Sequence, residues 1–246
     1  MEPLALVQEA LGRADHEEVL RLTDDILAER PGDDAAHELR ARALLALGRT
    51  DEAERHAADA VRLDPDEIRY RELMAEVLSA EGAHREAATE YARLARDDPR
   101  QRAWILAEAG ERLDADQAGR AAEAARRAVR LNPADADAQL ALARALLLAG
   151  DAPGALHAAG AAAELRGGDL RTRETLADAL WLSDRDAAAF TEFRALAGEL
   201  AGADRERVLE KARSLYAQHA GWAGRVALAI PGLFAFALAR GWVDVR

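Results

Sequence analysis

The sequence contains no cysteine among its 246 residues, so disulfide bonds, thiolate zinc sites and a cysteine nucleophile are excluded. Aromatic residues make up only 4% of the chain, although hydrophobic residues make up 50%. β-branched residues are few, and alanine and leucine supply most of the apolar side chains. Because both are strong helix formers, the composition predicts an all-α protein with a sizeable core.

Basic residues are outnumbered, 33 against 45 acidic residues, which gives a formal net charge of −12. A negative surface repels phosphate backbones, so we expect no nucleic-acid partner. Almost all basic residues are arginine, Lys211 being the only lysine, and this bias is typical of a GC-rich bacterial genome. The N-terminus lacks a basic region followed by a long apolar run. No secretory signal is therefore predicted, and we expect a cytoplasmic protein.

Residue patterns that mark catalytic or metal sites are missing from the sequence. The six histidines are scattered, and no two have the i, i+4 spacing of a metal-binding helix. Ser79, Ser183 and Ser214 all lie outside a Gly-x-Ser-x-Gly elbow. Acidic residues fall at helix starts and on solvent faces, where the helix dipole favours them. We expect no enzyme activity, no metal and no cofactor, with the histidines at the surface or at helix ends.

A period of 34 residues dominates the chain. Prolines follow it at Pro31, Pro65, Pro99 and Pro133. Alanines follow it at Ala53, Ala87, Ala121, Ala155 and Ala189. Glycines follow it at Gly48 and Gly82, and again at Gly150. Several residue types therefore share one register over five or six periods, as expected of a repeat protein.

Each periodic residue has a physical role in a helix–turn–helix unit. The glycine closes the turn after the first helix, because it adopts a positive φ at little cost. The alanine lies where two helices cross, and a larger side chain would force them apart. The proline ends the second helix, since it cannot donate a backbone hydrogen bond. The unit with Asp116 lacks the turn glycine, and the first unit has Gly12 two residues early and Val19 in place of the alanine.

This 34-residue unit resembles the tetratricopeptide repeat (TPR). The resemblance covers roughly residues 1–200, and it implies an α-solenoid of about six helix–turn–helix repeats in residues 1–203. A capping helix is predicted for residues 204–219, because apolar and polar residues there lie on opposite faces. Residues 220–246 form a C-terminal segment of different, apolar composition.

The resemblance also implies a function, since the first helices of TPR units line a concave groove that holds a peptide or a helix of another protein. We therefore expect a non-enzymatic scaffold or adaptor for protein–protein interaction. A less favoured alternative is an enzyme with a composite site in the groove, marked by perturbed carboxylates near one pocket. The repeat register selects these groove-facing residues: Glu38, Arg42, Leu45, Arg69, Glu72, Glu76, Ser79, Leu140, Arg144, Leu147, Arg171, Glu174, Asp178 and Trp181.

Two features of this set bear on the partner. Some TPR proteins clamp a C-terminal carboxylate with Lys and Asn, whereas the matching positions here hold Arg42, Glu72, Glu76 and Arg144. This pattern argues against such a clamp and predicts a partner segment of mixed charge. Trp181 has two interpretations that stay open, an interface hot spot or packing against the next helix.

The C-terminal segment has two interpretations as well. An uncharged run of 14 residues lies between Arg225 and Arg240, and Trp222 and Trp242 flank it. Tryptophans and arginines at both ends suit a membrane anchor, and the chain would then be a membrane-tethered TPR assembly factor. The run is only about 21 Å long as a helix, however. The alternative is docking on protein or pairing with a second copy, for which Phe234 and Phe236 would supply contact area.

Overall fold

In the computed structural model, residues 3–219 are described, and they form thirteen α-helices and no strand. The helices make six pairs followed by a single helix. Their bounds are α1 (Pro3–Gly12), α2 (His16–Glu29), α3 (Asp34–Ala46), α4 (Thr50–Leu63), α5 (Ile68–Ala80), α6 (His84–Asp97), α7 (Arg102–Asp114), α8 (Ala118–Leu131), α9 (Ala136–Leu148), α10 (Ala152–Leu165), α11 (Leu170–Leu182), α12 (Asp186–Glu199) and α13 (Gly202–His219). The predicted all-α class of tandem helical hairpins is confirmed.

Proline and aspartate set where the hairpins begin and end. The second helix α4 stops at Leu63, and Asp64 and Pro65 follow it. A proline there blocks the next hydrogen bond of the helix. Several first helices then open on an aspartate cap; for example, the side chain of Asp33 accepts a hydrogen bond from the backbone N–H of Ala36 at 2.9 Å. Together these signals keep successive hairpins in the 34-residue register.

The turn inside each hairpin needs a positive φ whether or not glycine is present. Gly48, Gly82 and Gly150 have φ angles of 72°, 79° and 79°. The equivalent positions of the other three hairpins hold Ala14, Asp116 and Asp184, with φ angles of 56°, 61° and 57°. What repeats every 34 residues is therefore a backbone conformation, and three hairpins adopt it with a side chain that disfavours it.

Contacts between Cα atoms group the chain into two compact units, Met1–Ala124 and Ala125–Arg246. The described parts, residues 3–124 and 125–219, are called here the N-terminal and the C-terminal unit. The domain boundaries predicted at residues 203 and 219 stay predictions. In both units successive helices pack against each other, and the alanines predicted at helix crossings are all fully buried: Ala53, Ala87, Ala121, Ala155 and Ala189.

The C-terminal unit ends in α13, whose predicted apolar face is buried. Val208, Leu209 and Leu215 pack into one core with Phe190 and Phe193 of α12. A helix that covers the last hairpin in this way removes its apolar face from water. Within residues 3–219, every helix falls short of the length and apolarity that crossing a bilayer requires.

Candidate partner-binding site

Five of the seven predicted residues of the N-terminal unit already have polar partners within it, and two of the five join neighbouring helices. Glu38 is buried in α3, where Arg42 Nε donates to its Oε1 at 2.5 Å. Trp104 Nε1 of α7 donates to Glu72 Oε1 of α5 at 2.8 Å. These carboxylates hold neighbouring first helices or their own helix, so their capacity to contact a partner is reduced.

The other predicted residues of this unit differ in exposure. Ser79 is half-buried, and its Oγ donates to Glu111 Oε1 at 2.5 Å. Leu45 is also half-buried, whereas Arg69 is exposed and pairs with Glu67. Burial is the main cause that raises the pKa of Glu76, with Arg42 opposing it and Glu72 adding to it.

In the C-terminal unit, a cavity of about 640 Å³ lies between the first helices α9 and α11 and the capping helix α13. We call it the C-terminal pocket. Six of the seven residues predicted for these repeats line it: Arg144, Leu147, Arg171, Glu174, Asp178 and Trp181. The seventh, Leu140, is buried in α9 and does not line the pocket. The repeat register thus brings together side chains that lie up to 37 residues apart.

One wall of the C-terminal pocket is apolar. Leu148 and Leu182 end α9 and α11, and with exposed fractions of 65% and 55% they are the most exposed large hydrophobic residues in the described part of the chain. Trp181 lies between them and the core, with its ring edge against Phe193 at a centroid distance of 6.1 Å and an angle of 88°. Both interpretations of Trp181 therefore fit its position, because it packs on α12 and also lines the pocket.

The carboxylates of the C-terminal pocket are tied to α13. Lys211 Nζ lies 2.9 Å from Glu174 Oε1 and 2.7 Å from Asp178 Oδ2, and Arg207 also pairs with Glu174. Burial opposes ionisation of Glu174, but the hydrogen bonds from Arg207 and Lys211 outweigh it and lower the pKa of this carboxyl. Burial raises the pKa of Asp178, although Lys211 contacts both of its oxygens. These pairs fasten the capping helix to α11.

Two arginines of the pocket have no such role. Arg144 and Arg171 are exposed, and within residues 3–219 neither forms an ion pair or a side-chain hydrogen bond. Arg171 also stands in the first turn of α11, where the helix dipole disfavours a cation. The charge of Arg171 favours the ionised Asp169 cap, but among the described residues neither arginine is held in place by an ion pair or a side-chain hydrogen bond.

A family model described as Tetratricopeptide repeat matches residues 10–77. The crystal structure of a tetratricopeptide repeat protein from Parabacteroides merdae superposes with a TM-score of 0.70, over 97% of this chain and 96% of that one, at 13% identity. Residues 10–77 therefore match the repeat family, and the chain shares the fold of solved tetratricopeptide repeat proteins. No curated protein sequence matches it.

Other solved TPR structures share the fold. The C-terminal part of a TPR repeat-containing protein from Cytophaga hutchinsonii has a TM-score of 0.74, 14% identity, and coverage of 96% of this chain and 93% of that chain. YrrB, described as a TPR protein with an unusual peptide-binding site, has a TM-score of 0.62, 16% identity, and coverage of 77% and 97%. At such identities these structures show the fold alone.

Five pocket residues were missed by the sequence analysis: Leu148, Thr175, Leu182, Arg207 and Lys211. The two leucines carry a signal, since they are 34 residues apart and end equivalent first helices. The two cations do not, because α13 stands outside the repeat and its contacts with α11 cannot be inferred from the period. The predicted tail residues Trp222, Arg225, Phe234, Phe236, Arg240 and Trp242 lie outside the described residues.

One histidine lies in the first turn of a helix but is not at the surface. His37 is buried in α3, and its Nδ1 lies 2.9 Å from Nδ1 of His56 in α4. With Asp59 Oδ2 at 3.9 Å from His37 Nδ1, these groups are close enough to surround a metal ion. Whether the arrangement favours a metal depends on where the imidazole protons lie.

The surrounding hydrogen bonds place those protons. Arg40 Nε donates to His56 Nε2 at 3.1 Å, so His56 carries its proton on Nδ1 and donates to His37. His37 in turn donates from Nε2 to the carbonyl oxygen of Pro31 at 3.0 Å, just as Gln139 Nε2 donates to Pro133 at 3.1 Å. Every ring nitrogen is thus occupied, and the pair works as a hydrogen-bonded link between two helices.

Burial, the charge of Arg40 and the neighbouring His37 lower the pKa of His56 to about 4. His56 is therefore neutral at pH 7, as its role as the acceptor of the Arg40 hydrogen bond requires.

Proposed function

We propose that the chain is a non-enzymatic scaffold that holds a segment of another protein in the C-terminal pocket. The observation that carries this proposal is the coincidence of three properties at one place. The pocket gathers six residues that the repeat register selects, it exposes the apolar ends of α9 and α11, and it contains two arginines without ion pairs. Exposed apolar side chains beside polar groups are typical of interaction sites.

The fold supports a binding role. Tandem helical hairpins bury a continuous core within each unit and leave a row of first-helix side chains on a rigid support. YrrB, which shares this fold, is described as having a peptide-binding site. A scaffold of this kind needs only contacts of its first helices, without reactive groups.

The carboxylates of the pocket favour binding over catalysis. Their shifted pKa values match what a composite enzyme site would show, but their partners explain these shifts. Glu174 and Asp178 are held by Arg207 and Lys211, and ion pairs that join helices perturb pKa values as catalytic sites do. A general acid or base must reach its substrate within hydrogen-bonding distance. These carboxylates are already engaged by α13.

The proposal is tested by charging the apolar wall. Leu148→Glu and Leu182→Glu should lower recovery of bound proteins from native cell extract by at least about tenfold, because a carboxylate replaces an apolar contact. Recovery is measured by quantitative mass spectrometry on immobilised protein. Leu165→Glu is the matched control, since Leu165 is 45% exposed on α10 in the same unit but does not line the pocket. It should leave recovery unchanged.

Circular dichroism melts must show that all three variants fold. Partners that survive both pocket substitutions, or that are lost equally with Leu165→Glu, would place the binding surface elsewhere and refute the proposal.

A further inference from the structure

We infer that the C-terminal pocket selects an acidic segment that carries an apolar side chain between its acidic residues. This inference rests on the proposed scaffold function and names the partner chemistry of the same site. It replaces the mixed charge that the sequence alone predicts.

The first argument is the charge of the lining. Four basic and two acidic side chains line the pocket, so it carries an excess of two positive charges. The whole chain has a net charge of −12. A positive pocket on a strongly negative protein is a local feature, and within about a Debye length it attracts carboxylates that the rest of the surface repels.

The second argument concerns which charges are free. Glu174 and Asp178 are satisfied by Lys211 and Arg207 at distances down to 2.7 Å. A basic partner would have to break these pairs, and it would leave a cation of α13 without its carboxylate. Arg144 and Arg171 have no pairs to break. An incoming carboxylate therefore gains charge-assisted hydrogen bonds at little cost, and guanidinium groups can bind it in bidentate fashion.

The third argument is the apolar wall beside the arginines. Leu147 and Leu148 of α9 face the pocket together with Trp181 and Leu182 of α11. An acidic segment without an apolar residue would leave these side chains in water. A leucine or an aromatic residue placed between acidic residues would cover them, and burial of such a side chain favours binding.

The N-terminal unit offers a contrast. Of the positions equivalent to Arg144, the one in α3 holds Arg42, which is paired with Glu38, and the one in α5 holds Glu76. There Trp104 contacts Glu72, and Ser79 and His84 contact Glu111. The first helices α3, α5 and α7 hold seven acidic and six arginine side chains, so that unit has no positive excess like that of the pocket.

The test uses three short fluorescein-labelled peptides that share a central pair of leucines. The flanking residues are glutamate in the first, glutamine in the second and lysine in the third. Affinity for the full chain is measured by fluorescence anisotropy. We expect the glutamate peptide to bind about tenfold more tightly than the glutamine peptide. Non-specific attraction to a chain of charge −12 would favour the lysine peptide instead.

Substitution of the free arginines locates the effect. Arg144→Gln and Arg171→Gln should each weaken the glutamate peptide about tenfold and leave the glutamine peptide unchanged. Both residues are exposed, so the variants should keep the melting temperature of the parent. Arg194→Gln is the matched control, because Arg194 is an exposed arginine of α12 that does not line the pocket.

The outcomes separate this inference from the scaffold proposal. Equal binding of the glutamate and glutamine peptides, tightest binding of the lysine peptide, or no binding of any peptide would each overturn the acidic selectivity. The scaffold proposal is decided independently by the capture experiment with Leu148→Glu and Leu182→Glu. If that experiment succeeds while the peptides show no acidic preference, the function stands and this inference falls.

Discussion

The positive φ shared by equivalent turns can be tested in the N-terminal unit by exchanging alanine for glycine in one turn and glycine for alanine in another. Ala14 and Gly48 occupy equivalent turns with φ angles of 56° and 72°. An L-residue in this conformation destabilises the folded chain by about 1–2 kcal/mol. Replacement of glycine by alanine also lowers the entropy of the unfolded chain, which offsets about 0.4–1 kcal/mol of that cost. No heavy atom lies within 4 Å of a Cβ built on Gly48, so packing adds nothing to the cost. Gly48→Ala should therefore destabilise its hairpin by about 1 kcal/mol, and Ala14→Gly should stabilise its own by a similar amount.

Hydrogen exchange read by mass spectrometry resolves these effects by hairpin. The free energy of opening should rise in α2 for Ala14→Gly and fall in α4 for Gly48→Ala, because repeat proteins open locally. Thermal melts of the whole chain should move in opposite directions by about 2–4 °C per kcal/mol. A stability change of the same sign in both variants would refute the view that the backbone conformation, and not the glycine, defines this turn.

Three further predictions concern the histidine pair, the capping helix and the tail. His56 has a pKa of about 4 in the folded chain and about 6.5 in the unfolded chain, so stability should be lost as pH falls from about 6.5 to about 4. Melts of His56→Gln should show a weaker pH dependence. Added zinc should not raise the melting temperature of the parent. Lys211→Met leaves Asp178 without its cation and should lower stability by about 1–3 kcal/mol, a loss that Arg194→Met should not reproduce. Deletion of residues 220–246 should leave the melt unchanged, because α13 already covers the last hairpin; loss of membrane fractionation would identify the tail as an anchor, and an unfolded product would contradict the prediction.

The register of the hairpins could be predicted from sequence because it depends on local chemistry. A proline that follows a helix prevents the helix from continuing, and the spacing of the alanines alone predicts which of them lie at helix crossings. The turns at Ala14 and Asp184 were not predicted, since residue type was used as the signal and the backbone conformation was not visible. Their 34-residue distance from Gly48 and Gly150 was the available clue.

Contacts between the two helices of one hairpin were harder to predict. His37 and His56 are 19 residues apart, and the same spacing joins Arg173 Nε to Glu192 Oε2 at 3.5 Å in the last hairpin. One geometrical position is thus filled by a neutral hydrogen bond in one repeat and by an ion pair in another. A search for residue identity misses such a position, whereas a search for complementary pairs at fixed spacing could find it.

Lys211 is the only lysine in the sequence. Its side chain lies half-buried in the C-terminal pocket, with its ammonium group between two carboxylates. A reagent that acylates amines therefore has one side-chain target in the sequence besides the N-terminal amino group, and that target lies at the proposed binding surface. Its rate of reaction would report whether the pocket is occupied, and the acylated product would lose the charge that fastens α13 to α11. The reactivity of this one side chain therefore measures occupancy of the C-terminal pocket.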